Sequence, residues 1–361
     1  MKVGIVTLYG NFNYGNRLQN YALQETLKKL GHEPKTLVIK NEDNILKEIL
    51  KKFLEKQNDK LKIKKLKDIK REKNFDKFNK EKINEDVKRA IEGKFDEELN
   101  KSYDYFIVGS DQVWNPNFWN EKKDGKEFNN FLLKFVDPRK RISYAASFGV
   151  NHLDKYWEDA FKEELKYFKA ISLREEEGKK IVDRLSIKNT EVVLDPTMLL
   201  TKEEWLKFEE KVNNLPSKYI LVFFLGNLDD ETNTYIENIA KINNLEILDM
   251  MSLSNIDIYS ANPAQLIYII RNAELVITDS FHLTVFSIIF QRAFLSLKRK
   301  QQGMKDMASR LITLLKKFKL EKRMEFLEVD DIFKCSFEEA EKILKIEGEN
   351  SINFLRKALE D

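Results

Sequence analysis

The segment Asp279-Ser280-Phe281-His282 has the residue types of a proton-transfer site, and it directly follows the apolar run at 275–278. An imidazole titrates near neutral pH and can donate or accept a proton there. A helix predicted to begin near Thr284 would direct its positive end toward this segment. The chain has only three histidines. A histidine beside a helix-capping serine can equally be structural, so both interpretations stay open.

Two groups of cations could bind an anionic substrate. Arg174 directly follows the apolar run at 170–173, and its planar guanidinium could bind a carboxylate or phosphate through two parallel hydrogen bonds. Pairing with Glu175 to Glu177 is the alternative. Downstream, Lys298, Lys300 and Arg310 flank a glycine-containing loop suited to phosphate, although a charge run in a lysine-rich chain is often simply solvated.

Two further polar loops could bind a sugar or an anion. The first contains Asn13, Asn16 and Arg17 around Gly15, which permits unusual backbone angles before a helix start. It lacks the GxGxxG spacing of a dinucleotide site. The second loop has carboxylate, amide, hydroxyl and indole groups, from Ser110, Asp111, Gln112, Trp114 and Asn115. An asparagine-capped helix and an Asx turn are the ligand-free alternatives.

Composition restricts the function classes. The single cysteine, Cys335, excludes an internal disulfide or a site with several thiolates, and the spread of the histidines argues against zinc, so we predict no metal. The 63 basic and 60 acidic residues nearly cancel, which gives little support for a nucleic-acid partner. We find neither a signal-peptide pattern nor a membrane span of about 18 apolar residues, so we predict a cytoplasmic protein.

The elements that must position these loops alternate between apolar runs and amphipathic segments, a pattern typical of parallel α/β sheets. With 361 residues, two cores are expected. The sequence therefore predicts an α/β fold of two Rossmann-like domains, with ligands at the carboxyl ends of the strands. The predicted strands are 3–8, 36–39, 105–108, 141–146, 170–173 and 191–194, then 219–225, 245–249, 275–278 and 293–297.

The predicted boundary between the two domains lies near residue 187. Residues 1–187 form the first domain and contain a lysine-rich helical insertion at 41–101. Residues 188–335 form the second domain. A helix within 336–361 is expected to pack back across both domains.

Several motifs in order resemble the polysaccharide pyruvyl transferase family. They are Asn13-Tyr14-Gly15-Asn16 with 18–24, Tyr103-Asp104, 109–115, 172–175, Val193-Leu194-Asp195-Pro196-Thr197, and Asp279-Ser280-Phe281-His282 with Thr284. The resemblance implies two Rossmann-like domains facing a cleft, as in GT-B glycosyltransferases. It implies phosphoenolpyruvate as co-substrate, with no separate cofactor, and a cell-surface or secreted glycan precursor as acceptor. Leu283 departs from the family, which often has glycine there.

These expectations define a mechanism to test. Protonated His282 would protonate the methylene carbon of phosphoenolpyruvate, and Ser280 would help to bind this donor. The donor side would lie in the second domain and the acceptor side in the first. Arg174 and one of Lys298, Lys300 or Arg310 would hold the donor's two anionic groups. We predict that Asp279 orients the imidazole and that Asp111 positions or deprotonates the acceptor hydroxyl.

The remaining residues of the two polar loops are predicted to bind the acceptor. A lipid-linked saccharide acceptor would bring the protein to the inner face of the cell membrane as a peripheral contact. The alternatives are a GT-B glycosyltransferase that uses a nucleotide sugar and a non-catalytic glycan-binding protein. The sequence does not predict the oligomeric state.

Overall fold

A seven-stranded parallel sheet forms the first domain. The computed structural model describes residues 1–8, 13–39, 59–119, 125–299, 309–325 and 331–360. The strands are β1 (Lys2–Val6), β2 (Glu33–Ile39), β3 (Glu85–Ile91), β4 (Tyr105–Val108), β5 (Arg141–Ala146), β6 (Ala170–Leu173) and β7 (Thr190–Val192). Their order is β3-β2-β1-β4-β5-β6-β7. The chain changes direction along the sheet between β1 and β4, where open α/β sheets bind ligands.

A four-stranded parallel sheet forms the second domain. Its strands are β8 (Tyr219–Phe223), β9 (Glu246–Asp249), β10 (Leu275–Thr278) and β11 (Phe294–Ser296). They lie in the order β11-β10-β8-β9, so the direction changes between β8 and β10. All pairings in both sheets are parallel. The predicted fold class is confirmed.

Helices connect these strands and cover the sheets. They are α1 (Tyr14–Lys29), α2 (Asp59–Lys82), α3 (Glu97–Ser102), α4 (Lys126–Phe131), α5 (Lys155–Leu165), α6 (Glu176–Arg184), α7 (Lys202–Phe208), α8 (Asp230–Asn243), α9 (Ile256–Tyr259), α10 (Pro263–Asn272), α11 (Phe281–Phe290), α12 (Ser309–Lys317) and α13 (Glu338–Glu360). Among the residues that the structure describes, none of these helices is long and apolar enough to cross a membrane.

The lysine-rich segment at 41–101 is not wholly helical, which corrects the prediction. Its described part contains strand β3, which pairs with β2 at the edge of the first sheet. Helix α2 buries Phe75 and Phe78 in the core, so it is the crossover between β2 and β3 rather than a solvated addition. Strand β3 is rich in charged residues because an edge strand needs less apolar surface. Residues 40–58 lie outside the described residues.

The domains are joined by contacts from several elements. Strand β7 pairs with β6, so the first domain extends beyond the predicted boundary at residue 187. Helix α13 contacts both halves, since Ser351 Oγ accepts a hydrogen bond from Leu194 N at 2.9 Å and Glu341 pairs with Gln291. Near the cleft, Tyr14 Oη donates to the carbonyl of Ala261 at 2.8 Å. These contacts fix the two sheets against each other.

Candidate functional site

The two points where the sheets change direction face each other across one small cavity. Its volume is about 170 Å³. Gly15 follows β1, Asp111 follows β4, Leu225 follows β8 and Ser280 follows β10, and all four line it. Because both sheets present the carboxyl ends of their strands here, loops far apart in sequence form one site.

His282 enters the cavity from the first turn of α11. The helix begins at Phe281 rather than near Thr284, because Ser280 is its N-cap and accepts a hydrogen bond from Leu283 N. The Nδ1 edge of the buried imidazole lies against Gly15, where an added β-carbon would be only 2.0 Å from Nδ1. The opposite nitrogen, Nε2, is 3.6 Å from Asp195 Oδ2. Glycine at position 15 therefore leaves the space that the imidazole occupies.

Asp195 is the centre of a buried polar network. Its Oδ1 accepts from Thr197 Oγ1 at 2.7 Å, and its Oδ2 accepts from Ser110 Oγ at 2.9 Å and from Arg174 Nη1 at 3.0 Å. Burial alone would raise the pKa of Asp195, but His282, Arg174 and these hydrogen bonds hold it well below its ordinary value. Asp195 is thus a fixed negative charge next to the imidazole. The sequence motif contains this residue, but we predicted no role for it.

Asp279 has a different function from the predicted one. Its two carboxylate oxygens accept hydrogen bonds from Leu225 N at 2.7 Å and Gly226 N at 2.8 Å, and Arg299 Nε donates at 3.2 Å. It therefore ties the end of β10 to the loop after β8. The prediction that Asp279 orients the imidazole is wrong, since the carboxylate beside His282 is that of Asp195.

Arg174 bridges two carboxylates instead of facing the cavity. Its Nη1 contacts Asp195 and its Nη2 lies 3.2 Å from Asp111 Oδ1, while only 1% of the side chain is exposed. The Phe281 ring lies over the guanidinium at 4.5 Å. The pKa of Asp111, which burial would raise, is lowered by Arg174 and His282. Arg174 thus positions the carboxylates, and the predicted direct contact with the donor does not fit this geometry.

Arg310 and Arg299 are the guanidinium groups that line the cavity. Arg310 is buried and its Nε has no hydrogen-bond partner. The Gln112 amide lies 3.2 Å from both terminal nitrogens of Arg310 when its oxygen faces them. Burial and the nearby charge of Arg174 lower the pKa of Arg310 to about 10. An arginine in this setting would be stabilised by an anionic ligand.

Lys298, another of the predicted cations, does not line this cavity. Lys298 is largely exposed, with its amine 3.4 Å from Glu325. Lys300 lies outside the described residues. Arg299, between them in sequence, is the residue of the run that the structure brings to the cavity together with Arg310. The run of charged residues predicted that this part of the chain contributes to the site, but it did not predict which of its cations line the cavity.

Most residues predicted to bind the acceptor have structural roles instead. Trp114 is fully buried and donates from Nε1 to Phe131 O at 3.0 Å, and Arg17 Nη2 donates to Leu8 O at 2.7 Å. Asn115 caps a short 3-10 turn. Five of the eight predicted residues are therefore absent from the cavity lining: Asn16, Arg17, Ser110, Trp114 and Asn115. Asn13, Asp111 and Gln112 do line the cavity.

The arrangement can transfer a proton beside a bound anion. It combines a buried imidazole, two carboxylates and two guanidinium groups in a small enclosed space. In the described part of the chain, no group of three or more histidine, cysteine, aspartate or glutamate side chains is placed to hold a metal ion.

Comparisons with known proteins show the family of the chain. No curated protein matches the chain. Similar solved structures include the UDP-GlcNAc 2-epimerase of Methanocaldococcus jannaschii, with 14% identity over 96% of this chain and 99% of that chain and a TM-score of 0.47. A Rickettsia africae glycosyltransferase matches with 11% identity over 99% of this chain and 97% of that chain, at a TM-score of 0.43. Likeness at this level carries no argument about function.

A family model described as polysaccharide pyruvyl transferase matches residues 13–301. That match includes the N-cap residue of α1, the site residues Asp111, Arg174 and Asp195, and Arg299. The chain therefore belongs to the polysaccharide pyruvyl transferase family of enzymes.

Proposed function

We propose that this transferase moves a pyruvyl group from phosphoenolpyruvate to two hydroxyls of a glycan precursor, forming a pyruvate ketal and releasing phosphate. One observation carries the proposal: His282 lies beside the fixed negative charge of Asp195 in a cavity that also contains two guanidinium groups. The donor needs both parts of this arrangement, since it must be protonated at carbon and has two anionic groups to bind.

Arg310 and Arg299 are the proposed holders of the donor anions. Arg310 is buried without a partner for Nε, so a phosphate or carboxylate oxygen would satisfy it and offset the nearby charge of Arg174. Arg299 reaches the same cavity while paired with Asp279. Arg310 was one of the three predicted candidates for the second anion, and Arg299 replaces Arg174 as the holder of the first. Arg174 acts indirectly, by holding the carboxylates of Asp111 and Asp195.

The proposed reaction begins with proton transfer from His282 to the methylene carbon of the donor, which becomes a methyl group. The adjacent carbon gains positive character, and the first glycan hydroxyl forms a bond to it and returns its proton to the imidazole. Phosphate then leaves with the electrons of its carbon–oxygen bond. The second hydroxyl adds to the same carbon and its proton goes to the phosphate, so the ketal and hydrogen phosphate balance the reaction.

Asp195 and Asp111 have separate roles in this scheme. Asp195 stabilises the imidazolium that donates the proton, because its carboxylate lies near Nε2 of His282. The other ring nitrogen, Nδ1, is on the side of Gly15, which lines the cavity. Asp111 lines the cavity, and its lowered pKa keeps it a carboxylate that can accept a hydrogen bond from the glycan hydroxyl. We assign Asp111 to positioning, because a carboxylate with a lowered pKa is a weak base.

Transfer can be tested directly. The protein is incubated with phosphoenolpyruvate and candidate glycan precursors, and phosphate release is followed together with mass-spectrometric detection of the ketal. His282→Ala should reduce the rate by about 10²–10⁴-fold, the usual contribution of a positioned acid. His152→Ala is the matched control, since His152 is exposed in the first domain. Normal turnover by the His282 variant would contradict the proposed role.

Ligand-induced thermal stabilisation separates this proposal from the nucleotide-sugar alternative. A ligand that binds only the folded protein raises its melting temperature. Phosphoenolpyruvate should stabilise the protein, and nucleotide sugars should not. The reverse result would favour a glycosyltransferase.

A further inference from the structure

A second hollow, much larger than the donor cavity, opens between the two domains. Its volume is about 590 Å³, and it lies between helix α6 of the first domain and helix α12 of the second. We propose that this groove binds the acceptor as an uncharged oligosaccharide segment. This inference rests on the proposed function. The groove would provide an acceptor-binding surface, since most residues predicted to bind the acceptor are buried.

Residues adjacent in sequence line the groove and the donor cavity. Ser309 lines the groove and the next residue, Arg310, lines the cavity. Asn151 lines the groove, and it closely follows Gly149, where an added β-carbon would lie 1.9 Å from Oε1 of the cavity residue Gln112. A glycan in the groove would therefore lie next to the donor site.

The lining contains polar groups that lack protein partners. Ser309 is only 7% exposed, and its Oγ has no hydrogen-bond partner. The buried Oδ1 of Asn151 has none either. Unsatisfied buried polar atoms are rare in folded proteins, because each costs free energy. Sugar hydroxyls can both donate and accept, so they would satisfy these atoms, while Ile312 offers an apolar contact to the carbon face of a sugar ring.

The charges around the groove favour a neutral ligand. Lys180 Nζ lies 2.6 Å from Glu177 Oε1, and Lys317 pairs with Glu347. The two further charged residues of the lining, Lys316 and Glu176, have opposite signs. A polyanionic glycan would gain little Coulomb energy here, whereas an oligosaccharide relies on hydrogen bonds and ring contacts.

Thr313→Trp tests the groove, because Thr313 lines it and a tryptophan there would fill the space. The control is Thr234→Trp, on the exposed surface of α8. The probes are neutral hexasaccharides of glucose, galactose, mannose and N-acetylglucosamine, with hexagalacturonate as the anionic comparison. Binding is measured by calorimetry, and donor binding by thermal stabilisation with phosphoenolpyruvate.

We expect at least one neutral hexasaccharide to bind, with affinity at least tenfold lower in Thr313→Trp and unchanged in the control. Stabilisation by phosphoenolpyruvate should persist in both variants. The groove proposal is overturned if Thr313→Trp binds the hexasaccharide normally, if no neutral hexasaccharide binds the unmodified protein, or if hexagalacturonate binds more tightly. If phosphoenolpyruvate does not stabilise even the unmodified protein, that result counts against the proposed function instead.

Discussion

Replacing Asp195 with asparagine removes one negative charge beside the proposed proton donor while keeping the side-chain shape. The contact joins His282 Nε2 and Asp195 Oδ2 at 3.6 Å, with 9% and 0% of the side chains exposed. At that distance two unit charges interact by about 4–5 kcal/mol for an effective dielectric constant near 20. Since the network around Asp195 also contains Arg174, we take a smaller loss of about 1–4 kcal/mol, the range usual for one nearby opposite charge.

The direction of the expected rate change follows from the proposed role of His282 as the proton donor. The imidazolium must be present for proton donation, and Asp195 favours that charged form. In Asp195→Asn the rate should therefore fall by about 10²-fold or more near neutral pH. The variant should also lose about 3–5 kcal/mol of unfolding free energy, because Arg174 keeps only one of its two buried carboxylate partners.

The assay is phosphate release at neutral pH, normalised to folded protein by circular dichroism. Asp279→Asn is the matched control, since Asp279 is also buried but bonds to Leu225 N, Gly226 N and Arg299. Its kcat should fall less than that of Asp195→Asn, because the carboxylate beside His282 is that of Asp195. A kcat that falls more in the Asp279 variant than in the Asp195 variant would refute our assignment.

Three further substitutions test separate parts of the site. Arg310→Ala should weaken phosphoenolpyruvate binding at least tenfold in thermal-shift titrations, whereas Lys298→Ala, on the exposed surface, should leave it unchanged. Trp114→Ala should cost about 3–5 kcal/mol in denaturant unfolding and leave the acceptor KM unchanged, because the indole is core. Gly15→Ala should lower kcat at least tenfold by displacing the imidazole, unlike Gly348→Ala, which meets no neighbouring atom.

Much of the fold could be predicted from local pattern. The predicted strands 105–108, 141–146, 170–173 and 275–278 coincide with β4, β5, β6 and β10. These strands are largely buried, so they are short apolar runs with clear polar boundaries. Strand β3 escaped prediction because it is a charged edge strand within a lysine-rich segment. There the local composition favoured helix, and pairing with β2 determined the structure instead.

The site was harder to predict than the fold, because its contacts cross between distant segments. Asp279 is near His282 in sequence, but the helix start at Phe281 separates their side chains, and Asp195 comes from the segment after β7. The polar loop after β4 shows the same limit, since Asp111 and Gln112 line the cavity while Trp114 fills the core. Residue types indicated the loop, and only packing decides which side chains face the ligand.

The domain origin of His282 and of its two neighbours, Gly15 and Asp195, links the chemistry to the domain arrangement. His282 comes from the second domain, whereas Gly15 and Asp195 come from the first. Among the described residues, neither domain alone has a buried imidazole beside a carboxylate, so the proposed proton donor is completed only when the domains pack together. The hydrogen bond from Tyr14 to Ala261 spans the same interface, directly beside Gly15. Contacts of this kind therefore help to set the environment of the imidazole, even where they touch no substrate.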